Sequence, residues 1–343
     1  MVLKTRIELE DKQLDKWIRE ANISKYRLGK IAGVSPSWIN SLGNNELASI
    51  KRERIIGLGV ALNLIMEETN GFLIKYNKSE LTKDDIPIFI EVAKNREITP
   101  KHQPFYVGHQ QLSLFLISVE RLKGKVVTVN YDSLSHILKS VNHVQYGNDK
   151  RKGDGLAEKL DIAALQERKQ LQESNLNSGH DVEFYISQAN LKKYARRAEE
   201  GELKKHCKDN NNGVNYVVEH FANLLHQVKQ NSSCRFYITK STHPWTFELK
   251  YSFTEKKLNN NIVFFLSPKA DPLDARLESN NFLAGYVTSE DSIFSQYESE
   301  YRKLQKNAIE KYKSRIELKK YILELFKDID IDKKNRELLD SSG

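Results

Sequence analysis

The chain has 343 residues, 39% of them hydrophobic and 29% charged, with a formal net charge of +8 at pH 7. That length leaves room for two or three domains, and the apolar content with well-spread aromatics excludes a disordered chain. No run of eighteen apolar residues occurs, so no membrane span or membrane partner is expected. The first residues lack the apolar core of a signal peptide, and the only cysteines, Cys207 and Cys234, suit a reducing compartment without disulfides; the expected location is cytoplasmic. The positive excess favours polyanionic partners and says nothing of fold.

A first helix is predicted over residues 11–21. Residues 23–40 then read as two short helices joined by a tight turn. Leu28, Ile31 and Ala32 form an apolar stripe at helical spacing. Gly33 supplies the backbone freedom of a sharp turn, and Val34 is a small apolar plug beneath it. Ser35 is a good N-cap with Pro36 at the first helical position, and Ile39 and Leu42 give the second helix its buried face. Basic residues cluster here: Lys25, Arg27 and Lys30, then Lys51, Arg52 and Arg54. A further helix is expected over 50–62, capped by Ser49.

This stretch resembles the helix-turn-helix of the lambda-repressor-like, or XRE-type, family of bacterial and phage regulators. Ser24, Leu28, Gly33, Val34, Ser35 and Ile39 match the pattern, and Gly29 stands where Ala is usual. The family's Glu-x-Gly after the second helix is replaced by Gly43-Asn44-Asn45, where Asn45 can adopt the left-handed conformation. The resemblance implies a helix-turn-helix domain over 1–68 that binds double-stranded DNA, its second helix entering the major groove. In that geometry Ser35, Ser37, Trp38, Asn40 and Ser41 face bases or adjoining phosphates, with Asn40 suited to bidentate pairing with adenine. Trp38 either touches a thymine methyl or is half-buried. Ser24, Lys25, Arg27 and Lys51 would hold phosphates. The alternative is a pair of ordinary core helices with a glycine turn.

Residues 69–148 are expected to form a small mixed α/β connecting region. Within it, 67–83 reads as a turn-rich connection, 85–95 as a short helix, 111–122 as a helix, 126–131 as a strand and 133–144 as a helix. Residues 147–155, rich in glycine and basic residues, read as a linker. The remainder, 149–343, is expected to be an α/β sensor or dimerisation domain. Helices are predicted over 156–175, 189–200 and 215–230, and strands over 182–187, 234–239, 246–253, 262–267 and 282–287. Asn259-Asn260-Asn261 reads as a hairpin turn. Residues 292–329 are one or two long helices striped with Phe294, Tyr297, Tyr301, Leu304 and Ala308, either packed on the sheet or forming a dimer seam.

Other constellations carry little chemistry. His206, Cys207, His220, His226 and Cys234 match no common zinc spacing. His206-Cys207-Lys208 opens a phosphodiesterase-like His-x-Lys motif, but Gly213 stands where its Asp belongs. No phosphate-binding glycine loop or nucleophile elbow occurs. Asp271, Asp274 and Glu278 read as a capped turn sooner than a metal site, and Trp245, Phe236, Tyr237 and Tyr251 as strand packing sooner than a pocket.

The expected class is therefore α+β: an all-α helix-turn-helix domain, then a mixed α/β region with a long C-terminal helix. The expected function is a homodimeric DNA-binding transcriptional regulator, not an enzyme, without cofactor or metal, and responsive to an unknown small-molecule or protein effector. A DNA-targeted nuclease or phosphodiesterase, or an antitoxin-like or phage-repressor-like interaction protein, are the alternatives.

Overall fold

A computed structural model describes residues 13–21, 23–43, 50–96, 103–107, 109–130, 141–151, 155–209, 213–244, 246–252, 261–266 and 283–342. The chain is α+β. It opens with six helices: α1 (Gln13–Glu20), α2 (Lys25–Ala32), α3 (Pro36–Gly43), α4 (Arg52–Ala61), α5 (Met66–Lys75) and α6 (Ile86–Asn95). Their apolar stripes converge on one core containing Trp17, Leu28, Ile39, Leu42, Ile55, Phe72 and Phe89.

The rest is built on a seven-stranded mixed sheet. Its strands are β1 (Gln103–Val107), β2 (Gly124–Asn130), β3 (Val182–Ser187), β4 (Cys234–Thr239), β5 (Thr246–Ser252), β6 (Asn261–Leu266) and β7 (Leu283–Thr288), in the order β1-β7-β6-β5-β2-β3-β4. β2, β3 and β4 run parallel, with Val126 beside Val182 and Val182 beside Cys234. The β5, β6, β7 and β1 pairings are antiparallel.

Side chains alternate across the sheet, so its two faces feed different cores. Val126, Phe184, Ile186, Phe236 and Ile238 lie in one core with α12 (Tyr216–Gln230) and the C-terminal helices α14 (Arg315–Leu325) and α15 (Lys333–Ser342). Val127, Val129, Tyr185, Phe247 and Leu249 lie in the other, beneath Phe294, Tyr301 and Leu304 of α13 (Asp291–Asn307). Four more helices complete the connections: α8 (Val141–Arg151), α9 (Gly155–Asn177), α10 (Gln188–Arg196) and α11 (Gly201–Asp209). Among the described residues, α7 (His109–Glu120) belongs to two cores: Leu114 and Ile117 join the helical module, whereas Leu112, Phe115, Leu116 and Val119 pack with Ile262, Phe264 and Val287 of the sheet.

Several expectations are corrected. The stretch 67–83 is no connection, because α5 occupies its first half. Glu68 Oε2 accepts from the Ile65 N–H at 3.0 Å, and Phe72 meets Trp17 edge-on at 5.6 Å, so packing overrides the Asn70-Gly71 turn signal. The linker expected over 147–155 is largely α8, and the boundaries at 68/69 and 148/149 both fall inside helices. β1 was not expected because it contains Pro104. It lies at the sheet edge, where a missing N–H is tolerated. α11 was not expected either. The predicted turn at 259–261, save Asn261, and most of the helix predicted over 133–144 lie outside the described residues.

The C-terminal stripe packs on the sheet through α13 and then breaks. Ala308 bridges to Thr239, and the Ile309 N–H donates to the Ile238 carbonyl at 2.8 Å. The chain thus leaves the helix to lie along the β4 edge, where the heptad register slips. Phe326 then meets Phe221 at 5.0 Å, while Ile316 stays exposed.

Candidate nucleic-acid interface

The α2–α3 junction is built by local chemistry. Ser24 Oγ accepts from the Arg27 N–H at 3.2 Å, closing the start of α2. Gly33 ends α2 at φ 67°, left-handed backbone that suits glycine. The Val34 N–H then donates to the Gly29 carbonyl at 2.8 Å. A Cβ on residue 29 would lie 2.4 Å from the Val34 oxygen, so glycine in place of alanine has a steric reason here. Ser35 Oγ accepts from the Trp38 N–H at 3.1 Å and pairs with Ser37 Oγ at 2.9 Å. Leu28, Ile39 and Leu42 are fully buried beneath the junction.

This packing leaves one face of α3 outward. Ser35, Ser37 and Asn40 are exposed, and Ser41 is half-buried. Trp38 is also half-buried: it packs on the module core with the Arg54 guanidinium 5.9 Å from its ring centroid. Around this face, Ser24 and Lys51 are exposed and Arg27 is half-buried. Lys51, with no side-chain cap bond, occupies the N-cap of α4, while Ser49 lies outside the described residues.

Lys25 has a more specific setting. Its Nζ donates to Asn40 Oδ1 at 2.9 Å and pairs with Asp15 Oδ1 at 3.1 Å, tying α1, α2 and α3 together. Asp15 carries no sequence signal, since its partner sits on another helix. Tyr26, the next residue of α2, carries no sequence signal either and is 72% exposed. Arg52, by contrast, is committed internally. It forms a bidentate pair with Asp85 and donates to the Glu80 carbonyl at 2.7 Å. Burial raises the Asp85 carboxyl, but hydrogen bonds from Arg52 and Thr82 outweigh it and hold the group below its usual range. Arg96 is buried behind α2. It donates to Asn63 Oδ1 at 2.6 Å and lies 4.9 Å from the Phe115 ring centroid; burial and nearby Arg27 lower it to about 10.

No family model, curated protein or solved structure matches the chain. Among the described residues, no helix is long and apolar enough to cross a membrane.

The sheet region holds its polar groups differently. On the α13 side, Glu183 accepts from Lys125 at 2.8 Å, Tyr185 at 2.9 Å and Tyr301 at 3.1 Å. On the α7 side, Lys250 Nζ donates to the Val119 and Glu120 carbonyls at 2.9 and 3.1 Å, and Thr128 donates to Glu248 at 3.2 Å. Burial pushes Lys250 down to about 8 and Glu248 up to about 6. Arg168 pairs with Glu120 at 2.6 Å beside them.

His143 and His220 pack with ring centroids 5.1 Å apart. His220 is buried with its Nδ1 against the Tyr194 hydroxyl, and His226 is exposed. Burial pushes the Cys207 thiol up to about 11 and that of Cys234 up to about 12. Among the described residues, no group of three or more metal-ligating side chains forms. Phe236 is buried, Tyr237 stacks on Tyr185 at 4.7 Å, and Tyr251 donates to Glu298 at 3.1 Å. Trp245, Asp271, Asp274 and Glu278 lie outside the described residues. A groove of about 750 Å³ runs between residues 241–244 and α13, lined by Thr242, His243, Tyr286, Tyr297, Glu300 and Lys303 among others.

Proposed function

We propose that this protein is a sequence-specific DNA-binding transcriptional regulator of the lambda-repressor-like helix-turn-helix type. The observation that carries the reading is the α2–α3 junction, where two serine caps and a left-handed glycine fix an exposed polar face on α3. A helix so held can enter a major groove, with Ser35, Ser37, Asn40 and Ser41 toward bases or adjoining phosphates. Ser24, Arg27 and Lys51 flank that face and would meet the backbone. Trp38 serves the module core, with only its outer edge available to DNA.

The sheet region would dimerise the protein, sense an effector, or both. One small module offers few base contacts, and pairing two half-sites multiplies discrimination. The groove beside α13 is the place where an effector would bind. The protein would act in the cytoplasm, where DNA and a reducing medium coexist.

Selection from a random pool of duplexes with the full chain tests the proposal. An enriched motif with two-fold symmetry, bound roughly 10³-fold over non-specific DNA and weakened by salt, is expected. A pool that yields no motif would sink the reading. Cleavage of the bound duplex would replace it with a DNA-targeted enzyme.

A further inference from the structure

Accepting the helix-turn-helix reading above, we infer that Lys25 and Asn40 together read a guanine, and that Lys25 is a base-reading residue and not a phosphate contact. Three observations place the pair. Lys25 Nζ lies 2.9 Å from Asn40 Oδ1, Asn40 lies on the exposed face of α3, and Asp15 lies 3.1 Å from the same ammonium.

The first observation fixes the polarity of the Asn40 amide. An ammonium only donates, so Oδ1 must face Lys25 and the Nδ2 protons must point the other way. Free asparagine suits adenine because it offers one acceptor and one donor to N6 and N7. Here the acceptor is already engaged by a cation. An adenine amino group brought to Oδ1 would meet the neighbouring positive charge. Guanine presents two acceptors, O6 and N7, and no donor on that edge. The Nδ2 protons and the third Nζ proton supply two donors to match them.

The third observation argues against a phosphate partner. A phosphate brought to Nζ would also approach the Asp15 carboxylate, and like charges at that range repel. An uncharged base edge, with only partial charges on O6 and N7, meets a much smaller penalty. Asp15 also holds the Lys25 side chain back across α1, with the ammonium directed at α3 and not away from the module. The salt bridge thereby sets which base is read, although Asp15 itself touches no DNA.

The test uses the full chain. Random-pool selection is run on wild type, Lys25→Ala and Asn40→Ala, followed by titration of the wild-type site with its guanine replaced by 7-deazaguanine, which lacks the N7 acceptor. The expected wild-type motif contains a guanine whose preference disappears in both variants. The 7-deazaguanine site should bind wild type roughly tenfold more weakly and Lys25→Ala nearly unchanged relative to the normal site. That base substitution alters only the DNA, so a wild type that binds it as tightly as the normal site overturns the inference even if a variant folds poorly. An adenine at the Asn40-dependent position would overturn the inference while leaving the regulator reading intact. So would a Lys25→Ala protein that keeps the wild-type motif and binds every sequence more weakly by one factor. A wild-type protein with no motif at all would overturn the regulator reading itself.

Discussion

The helical module and the sheet use the same pairing, a lysine beside a carboxylate, in opposite settings. Lys25 and Asp15 meet at the surface, with side chains 37% and 46% exposed. Lys125 and Glu183 meet beneath α13, where the Glu183 side chain is 3% exposed. A surface pair contributes little to stability because water solvates each partner nearly as well. A buried carboxylate must be matched by donors, and Glu183 has three. The first pair is therefore available for recognition, and the second is committed to the fold.

Breaking the buried pair should give the largest effect. Glu183→Ala removes the acceptor for Lys125, Tyr185 and Tyr301, and should cost about 3–5 kcal/mol in denaturant unfolding. Intrinsic DNA contacts should be unaffected wherever the protein remains folded. Next comes Gly29→Ala, which drives a methyl into the Val34 carbonyl and should cost about 3 kcal/mol. Here stability and DNA affinity should fall together, because the junction itself is distorted. If this variant proves as stable as wild type, the turn geometry is wrong.

The Lys250–Glu248 region sharpens the contrast through pH. Lys250 is lowered to about 8 in the fold, so its charged form opposes folding below that pH. Stability should rise as pH climbs from about 8 toward the lysine's ordinary value of about 10.4. Glu248, raised to about 6, works in the opposite sense: stability should rise as pH falls from about 6 toward about 4.3. Lys250→Met should flatten the alkaline limb, a difference on the order of 1–3 kcal/mol by denaturation across that window. An identical alkaline slope in the variant would show that Lys250 stays charged in the fold.

On the module, effects should move from stability to binding. Asn40→Ala should cost about 1–3 kcal/mol in binding at one base position and leave unfolding within about 0.5 kcal/mol of wild type. Lys25→Ala should also be mild for the fold, changing stability by less than about 1 kcal/mol. A larger loss on thermal melting would mean that the bridge to Asp15 and Asn40 is structural.

Legibility in the sequence followed the range of the interaction. The Ser35 cap joins residues three apart and is visible in the chain, and the Ser24 cap, which the sequence reading assigned to phosphate instead, is just as local. The broad apolar face of α12 and the β-branched run of β2 were visible for the same reason. The Lys25–Asn40 bond spans fifteen residues and the Asp15 contact crosses to a third helix, and no local pattern records either. α5 escaped notice because Asn70-Gly71 reads as a turn until Phe72 is seen against Trp17. β1 escaped because Pro104 is acceptable in a strand only at an edge, and edges belong to sheet order. A fragment ending near residue 80 would strip Leu81, Phe89 and Ala93 from the module core.

The double membership of α7 has a mechanical consequence. Leu114 and Ile117 grip the helical module while Phe115, Leu116 and Val119, interleaved with them on the same turns, grip the sheet. The helical module and the sheet therefore share one helix in their cores. In the proposed dimer, the distance between the two heads is inherited from the bodies and not from a tether, so the pair measures DNA like calipers. Half a helical turn inserted between half-sites would put the second head on the wrong side of the duplex, and the proposed dimer should then bind weakly.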